Sequence, residues 1–98
     1  MFVIVLKYLV PIEEVEANTP DHRAYLDTLY AKGKLVCSGP REPRTGGVII
    51  ANVATQVEAM KIVADDPYFE RRIADFDVIQ FDPVKSDPRF APFLGTAG

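Results

Sequence analysis

Residues 2–8 read Phe2-Val3-Ile4-Val5-Leu6-Lys7-Tyr8. The run is rich in β-branched and aromatic side chains, which marks a strand. Successive strand side chains point to opposite faces. Phe2, Ile4, Leu6 and Tyr8 therefore share one face, while Val3 and Val5 lie on the other. Both faces are apolar, and the later run Val48-Ile49-Ile50 is apolar on both sides as well. An antiparallel sheet of this kind needs cover on each side. The architecture therefore turns on what the rest of the chain can place on each face.

Pro11 ends the first strand, and a polar loop is expected after it. Thr19 can cap a helix with Pro20 at its first position, where a missing N–H is harmless. That helix is expected to run to about Lys32, closed by a left-handed Gly33. Leu35-Val36-Cys37-Ser38 reads as a second strand, and residues 39–47, with three glycines and two prolines, as a turn-rich loop. Val48 to Val53 is the third strand. Thr55-Gln56-Val57-Glu58 has the form of a capping box and starts a second helix to about Ala64. Asp66-Pro67 breaks it, with one or two further helical turns from Tyr68 to about Arg72. Asp77 to Phe81 is the fourth strand. The order β-α-β-β-α-β predicts a ferredoxin-like α+β fold with an antiparallel sheet and both helices on one face. The domain spans residues 1–84, and residues 85–98 form a C-terminal tail that carries Phe90, Phe93 and Leu94. Two helices leave the second sheet face bare, so a second copy packed sheet against sheet is expected, with the tail adding to that contact.

The chain has 98 residues, nearly half of them apolar, and a net charge of −3. One core of ordinary small size follows. The negative balance argues against nucleic acid or an anionic membrane as partner, since both need a basic face. No apolar run is long enough to span a bilayer, and the N-terminus reads as a strand rather than a signal peptide. The single cysteine, Cys37, excludes an internal disulfide and suits a reducing cytoplasm. It reads as a small buried strand residue. One histidine and scattered carboxylates do not make a ligand set, so neither a metal nor another cofactor is expected.

That histidine, His22, is the residue of greatest chemical interest. At about 100° per residue it shares a helix face with Leu26 and Leu29, near Tyr25. It thus belongs to the stripe that packs on the sheet, whereas Asp21 points away. A helix start and partial burial both favour the neutral ring. A neutral imidazole steadied by a carboxylate is how a general base is built. A core histidine satisfied by a backbone carbonyl is the alternative. Asp66, before Pro67, has the extended backbone of an N-cap residue, and Asp65 reads as a solvated charge. Because each helix runs against the strand before it, the two helices are expected to lie roughly parallel. On that reading topology alone does not bring Asp66 to His22.

Taken together, the stretch PDHRAYLDTLYAKGKL, the triplet Ser38-Gly39-Pro40 with Gly46-Gly47, and Ala64-Asp65-Asp66-Pro67-Tyr68 resemble the YciI-like (YCII-related) domain family. The resemblance runs over about residues 1–84. It implies a dimeric α+β barrel related to the ferredoxin-like fold, with a histidine–aspartate site that falls on His22 and Asp66. It also implies that Gly39 and Pro40 shape one wall of a pocket. One relative takes part in dehydrochlorination of a chlorinated aromatic intermediate, and the fold is similar to that of muconolactone isomerase. Both reactions move protons beside an activated carbon.

Two functional readings follow. In the first, the protein is an isomerase or lyase, of dehydrochlorinase type, acting on a small organic acid or lactone with His22 as base and Asp66 orienting it. Arg41, Arg44, Arg71 and Arg72 are candidate anchors for a substrate carboxylate, with at least three of them expected to be plain surface. Arg41 and Tyr68 join Gly39 and Pro40 as candidate substrate-binding residues, and Tyr8 and Tyr25 are candidates for the lining. In the second reading the dimer is a non-catalytic small-ligand-binding or accessory module, with His22 sealed in the structure. A monooxygenase fits less well, since the chain has no tryptophan and one imidazole.

Overall fold

β1, Phe2–Tyr8, is a central strand of the sheet. In the computed structural model, which describes residues 1–94, it pairs antiparallel with β3, Gly46–Ala51, on one side and β4, Ala74–Gln80, on the other. β2, Leu35–Pro40, pairs with β3, giving the order β2-β3-β1-β4. Phe2, Ile4 and Leu6 are at most 2 % exposed, because the helices cover their face. The chain has a ferredoxin-like α+β fold.

The first helix departs from expectation. α1 spans Ile12–Ala31, so Thr19 is not its cap and Pro20 lies inside it. The helix starts directly after Pro11, whose carbonyl accepts from the amides of Glu14 (3.0 Å) and Val15 (3.2 Å). Glu13 and Glu14 place negative charge in the first turn, where the helix dipole favours it. An interior proline costs about 3 kcal/mol. Val15 is fully buried and Ile12 packs against the core; burial of such side chains contributes about 2 kcal/mol each. The two terms are of the same size, and the early turns hold. Thr19 Oγ1 donates to the Val15 carbonyl (2.9 Å) rather than capping a new start. The C-terminal end is as expected: Gly33 has φ +71°, and the Lys34 amide returns to the Leu29 carbonyl at 3.0 Å.

α2, Gln56–Ala64, starts at Thr55, whose hydroxyl accepts from the Glu58 amide. The short α3, Pro67–Glu70, starts at Asp66. β1 and β3 are antiparallel neighbours, so the helices that follow them run in opposite directions, not parallel as the sequence reading supposed. The end of α2 is therefore delivered to the first half of α1, and α3 packs on α1.

The second sheet face carries Val3, Val5, Val48 and Ile50, all partly exposed, with Ile79 47 % exposed. Cys37 is exposed rather than buried. It follows a register shift in edge strand β2 and pairs with Ile50 on the uncovered face. In the tail, Pro88–Phe93 forms a 3₁₀ helix with Asp87 as its cap, and Phe90 and Phe93 lie with ring centroids 5.3 Å apart. The last tail residues, 95–98, lie outside the described residues. No described helix is long and apolar enough to cross a membrane.

Candidate active site

Asp66 stands between α2 and α3 with an extended backbone, φ −73° and ψ 128°. Its side chain is completely buried. Oδ1 accepts the Tyr68 amide at 2.9 Å and meets His22 Nδ1 at 2.8 Å. The residue is thus both the helix cap and the partner of the histidine. The other oxygen, Oδ2, is sealed and receives no hydrogen bond from a described residue. A carboxylate can only accept. In the neutral ring the proton therefore sits on Nδ1, and Nε2 keeps its lone pair.

His22 lies ten residues after Ile12, in the middle of α1, so the helix-start part of the electrostatic argument does not apply. Its orientation has other sources. The imidazole stacks on the Tyr68 ring with centroids 3.8 Å apart and planes 2° apart. Tyr68 is 2 % exposed, and its hydroxyl lies 2.7 Å from Thr19 Oγ1. Thr19 already gives its proton to the Val15 carbonyl, so Tyr68 is the donor. Burial is the main cause that pushes the Tyr68 phenol above its ordinary range. The Tyr8 ring meets Tyr68 edge-on at 6.3 Å.

His22 retains 12 % side-chain exposure and borders a cavity of about 180 Å³. Leu6, Leu26 and Ile49 give this cavity apolar walls, and Tyr8, Tyr68, Arg23 and Arg44 also line it. Gly39 and Pro40 are part of the lining, which places them where the family resemblance suggests a wall. Arg41 is exposed and outside the lining; its amide closes the β2–β3 turn on the Gly46 carbonyl at 2.9 Å. Arg71 is engaged with Asp21 (2.8 Å) and Asn18 (2.9 Å), and Arg72 is an exposed residue at φ +57°. Of the four arginines weighed from sequence, Arg44 alone faces the cavity. Tyr25 turns away: its hydroxyl donates to the Ile62 carbonyl at 2.7 Å and ties α1 to α2. Asp65 pairs with Lys61 at 3.0 Å on the surface.

Thr19, Arg23 and Ser38 are lining residues that sequence reasoning did not select. Thr19 before Pro20 has the local pattern of a helix cap, which accounts for its hydroxyl without reference to a cavity. Arg23 follows His22 directly and looks like solvated helix surface from spacing alone.

A four-stranded antiparallel sheet, two main helices on one face and a cavity between them define a ferredoxin-like α+β domain. The YCII-related domain family matches residues 1–82, and the chain belongs to that family. Among solved structures it is similar to 5-chloro-2-hydroxyhydroquinone dehydrochlorinase from Burkholderia phenoliruptrix AC1100, in complex with 2,5-dihydroxybenzoquinone. The identity is 22 %, the match covers 83 % of this chain and 93 % of that one, and the TM-score is 0.68. At that identity the likeness is one of fold. Among curated proteins none matches the chain.

Proposed function

We propose that the protein is a small-molecule enzyme that moves a proton at an activated carbon or hydroxyl, as an isomerase or a lyase of the dehydrochlorinase type. His22 Nε2 is the base. Asp66 fixes the tautomer and offsets the charge that the ring gains when it takes the proton. In a lyase step the electron pair left behind expels a leaving group as an anion, and the imidazolium returns its proton to water. In an isomerase step the same nitrogen returns the proton to a second carbon. The observation that carries this reading is the 2.8 Å contact between Nδ1 and a fully buried carboxylate, in a ring that also borders a cavity. A sealed histidine would have favoured the binding-module reading. The fold neighbour, a 5-chloro-2-hydroxyhydroquinone dehydrochlorinase, suggests the substrate class: small oxygenated rings, organic acids or lactones.

The test is chloride release from 5-chloro-2-hydroxyhydroquinone and deuterium exchange from solvent into small unsaturated lactones and keto acids. Wild type should act on at least one class, and His22→Ala should lose that activity with its circular dichroism unchanged. Retained activity in His22→Ala, or no activity towards either class, would overturn the proposal.

The same reading includes a homodimer. Val3, Val5, Val48, Ile50 and Ile79 form a contiguous apolar face, and a second copy of that face is its economical cover.

A further inference from the structure

We infer that Arg44 and Tyr8 form an anion-holding wall of the cavity that His22 borders, so that the substrate of this site carries an ionised oxygen. The inference rests on the proton-transfer reading and narrows it: of the organic acids and neutral lactones considered there, the acids fit.

The first argument is the sign of the cavity. The chain as a whole has a net charge of −3, yet the lining includes Arg23 and Arg44 and neither aspartate nor glutamate. Asp66 sits behind the imidazole, committed to Nδ1 and the Tyr68 amide. The charged side chains of the lining are thus opposite in sign to the whole protein, with Asp66 behind the imidazole and Glu16 beside Arg44 outside it.

The second argument is donor capacity. A guanidinium has five N–H donors in a rigid fork. The ion-pair partner of Arg44 among the described residues is Glu16, at 3.5 Å and itself 60 % exposed. Such a surface pair is weak and leaves most of the fork free. Tyr8 lines the same cavity as Arg44, and it is the first of the influences that raise the guanidinium above its ordinary range. Arg23 has no ion pair among the described residues. A bidentate arginine beside a phenolic hydroxyl is well suited to an ionised oxygen.

The third argument is that the loop is held in place. The Arg41 amide donates to the Gly46 carbonyl (2.9 Å), the Thr45 amide to the Pro43 carbonyl (2.8 Å), and the Tyr8 amide to the Thr45 carbonyl (3.0 Å). Gly46 lies so close to β1 that a Cβ there would run into the Leu6 carbonyl. These contacts fasten the segment carrying Arg44 to the strand carrying Tyr8. An ionised oxygen bound there serves the chemistry as well: it feeds electrons towards the carbon from which a leaving group departs.

The probes are 4-nitrophenolate and its uncharged ether 4-nitroanisole, titrated by NMR in mildly alkaline buffer, where the phenol is ionised. Wild type should bind the anion about tenfold or more tightly than the ether, as one charge-assisted contact allows. The cavity residues should show the shifts, and added salt should shrink the gap. Arg44→Met should remove most of the gap, Arg44→Lys part of it, and Arg41→Met, on the same loop but outside the lining, should leave it in place. Equal affinities, no binding of the anion, or a gap that survives Arg44→Met would overturn the inference. A failed base and a failed anion wall remain distinct: the first shows as turnover in His22→Ala with the gap intact, the second as a missing gap with turnover intact.

Discussion

The His22 imidazole lies flat on the Tyr68 ring, centroids 3.8 Å apart and planes 2° apart, while Asp66 Oδ1 binds His22 Nδ1 and the Tyr68 amide together. One carboxylate oxygen therefore sets both the ring that acts and the ring that supports it. Aspartate here is a cap and an orienting group in the same atom.

Asp66→Asn should separate these two roles. Asparagine still caps a helix well, so stability should fall by only about 1 kcal/mol. The amide can present either a donor or an acceptor to Nδ1, so the ring loses its single tautomer. Long-range proton–nitrogen correlation on the lone histidine should show an Nδ1–H ring in wild type and a mixture in the variant. Turnover should drop by roughly a hundredfold or more, as it does when a base loses its orienting carboxylate. An unchanged tautomer in Asp66→Asn would remove Asp66 from the mechanism.

Alkaline stability should be governed in part by two tyrosines, Tyr68, which is buried, and Tyr25, which is partly buried. Burial first, then the charges of Asp65 and Asp66, push Tyr25 well up; burial likewise raises Tyr68. In the unfolded chain both titrate near about 10. The folded protein keeps these protons longer, so it binds more of them than the unfolded chain above that pH. Stability should hold below about pH 10 and decline as pH rises through the folded values. Denaturant midpoints across this range should fall less steeply in Tyr25→Phe than in wild type. Identical slopes would show that Tyr25 does not contribute.

Two glycines near the site should respond in opposite ways. Gly46→Ala sets a methyl against the Leu6 carbonyl and should destabilise the β1–β3 pair by roughly 3 kcal/mol. Gly39→Ala meets nothing within 4 Å and should stay within about 0.5 kcal/mol of wild type. Urea unfolding of the two variants decides this, and similar losses for both would refute the close approach at Gly46.

The bare sheet face predicts oligomeric state. Wild type should elute as a dimer, with its mass fixed by light scattering. Val5→Glu, which places a charge on central strand β1 beside Val48, should shift it to monomer with its secondary structure kept. A monomeric wild type would leave the face to some other cover.

Much of this fold was legible because its signals are local. Thr55 with Glu58, Asp66 with Pro67, and Gly33 each satisfy backbone groups within a few residues, and each does in the structure what its neighbours imply. The start of α1 was not legible, because Pro20 is a local breaker whose penalty is offset at a distance by burial of Val15 and Ile12. The meeting of His22 and Asp66 was hidden by a directional error: helices that follow antiparallel strands oppose each other, which brings the α2–α3 junction to α1. Arg44 could not be ranked above Arg41, since three residues in a turn-rich loop decide which of them faces the cavity.

The extra length of α1 also bears on how long the site persists. Helix ends open and close far more often than their middles. A base in the first turn would lose its aim with each such event. His22 stands ten residues beyond Ile12, clasped from the side by Tyr68 and Asp66, so its aim fails only when the helix itself comes away from the sheet. Amide exchange around His22 should then be as slow as that of β1, and the working geometry should last as long as the folded state.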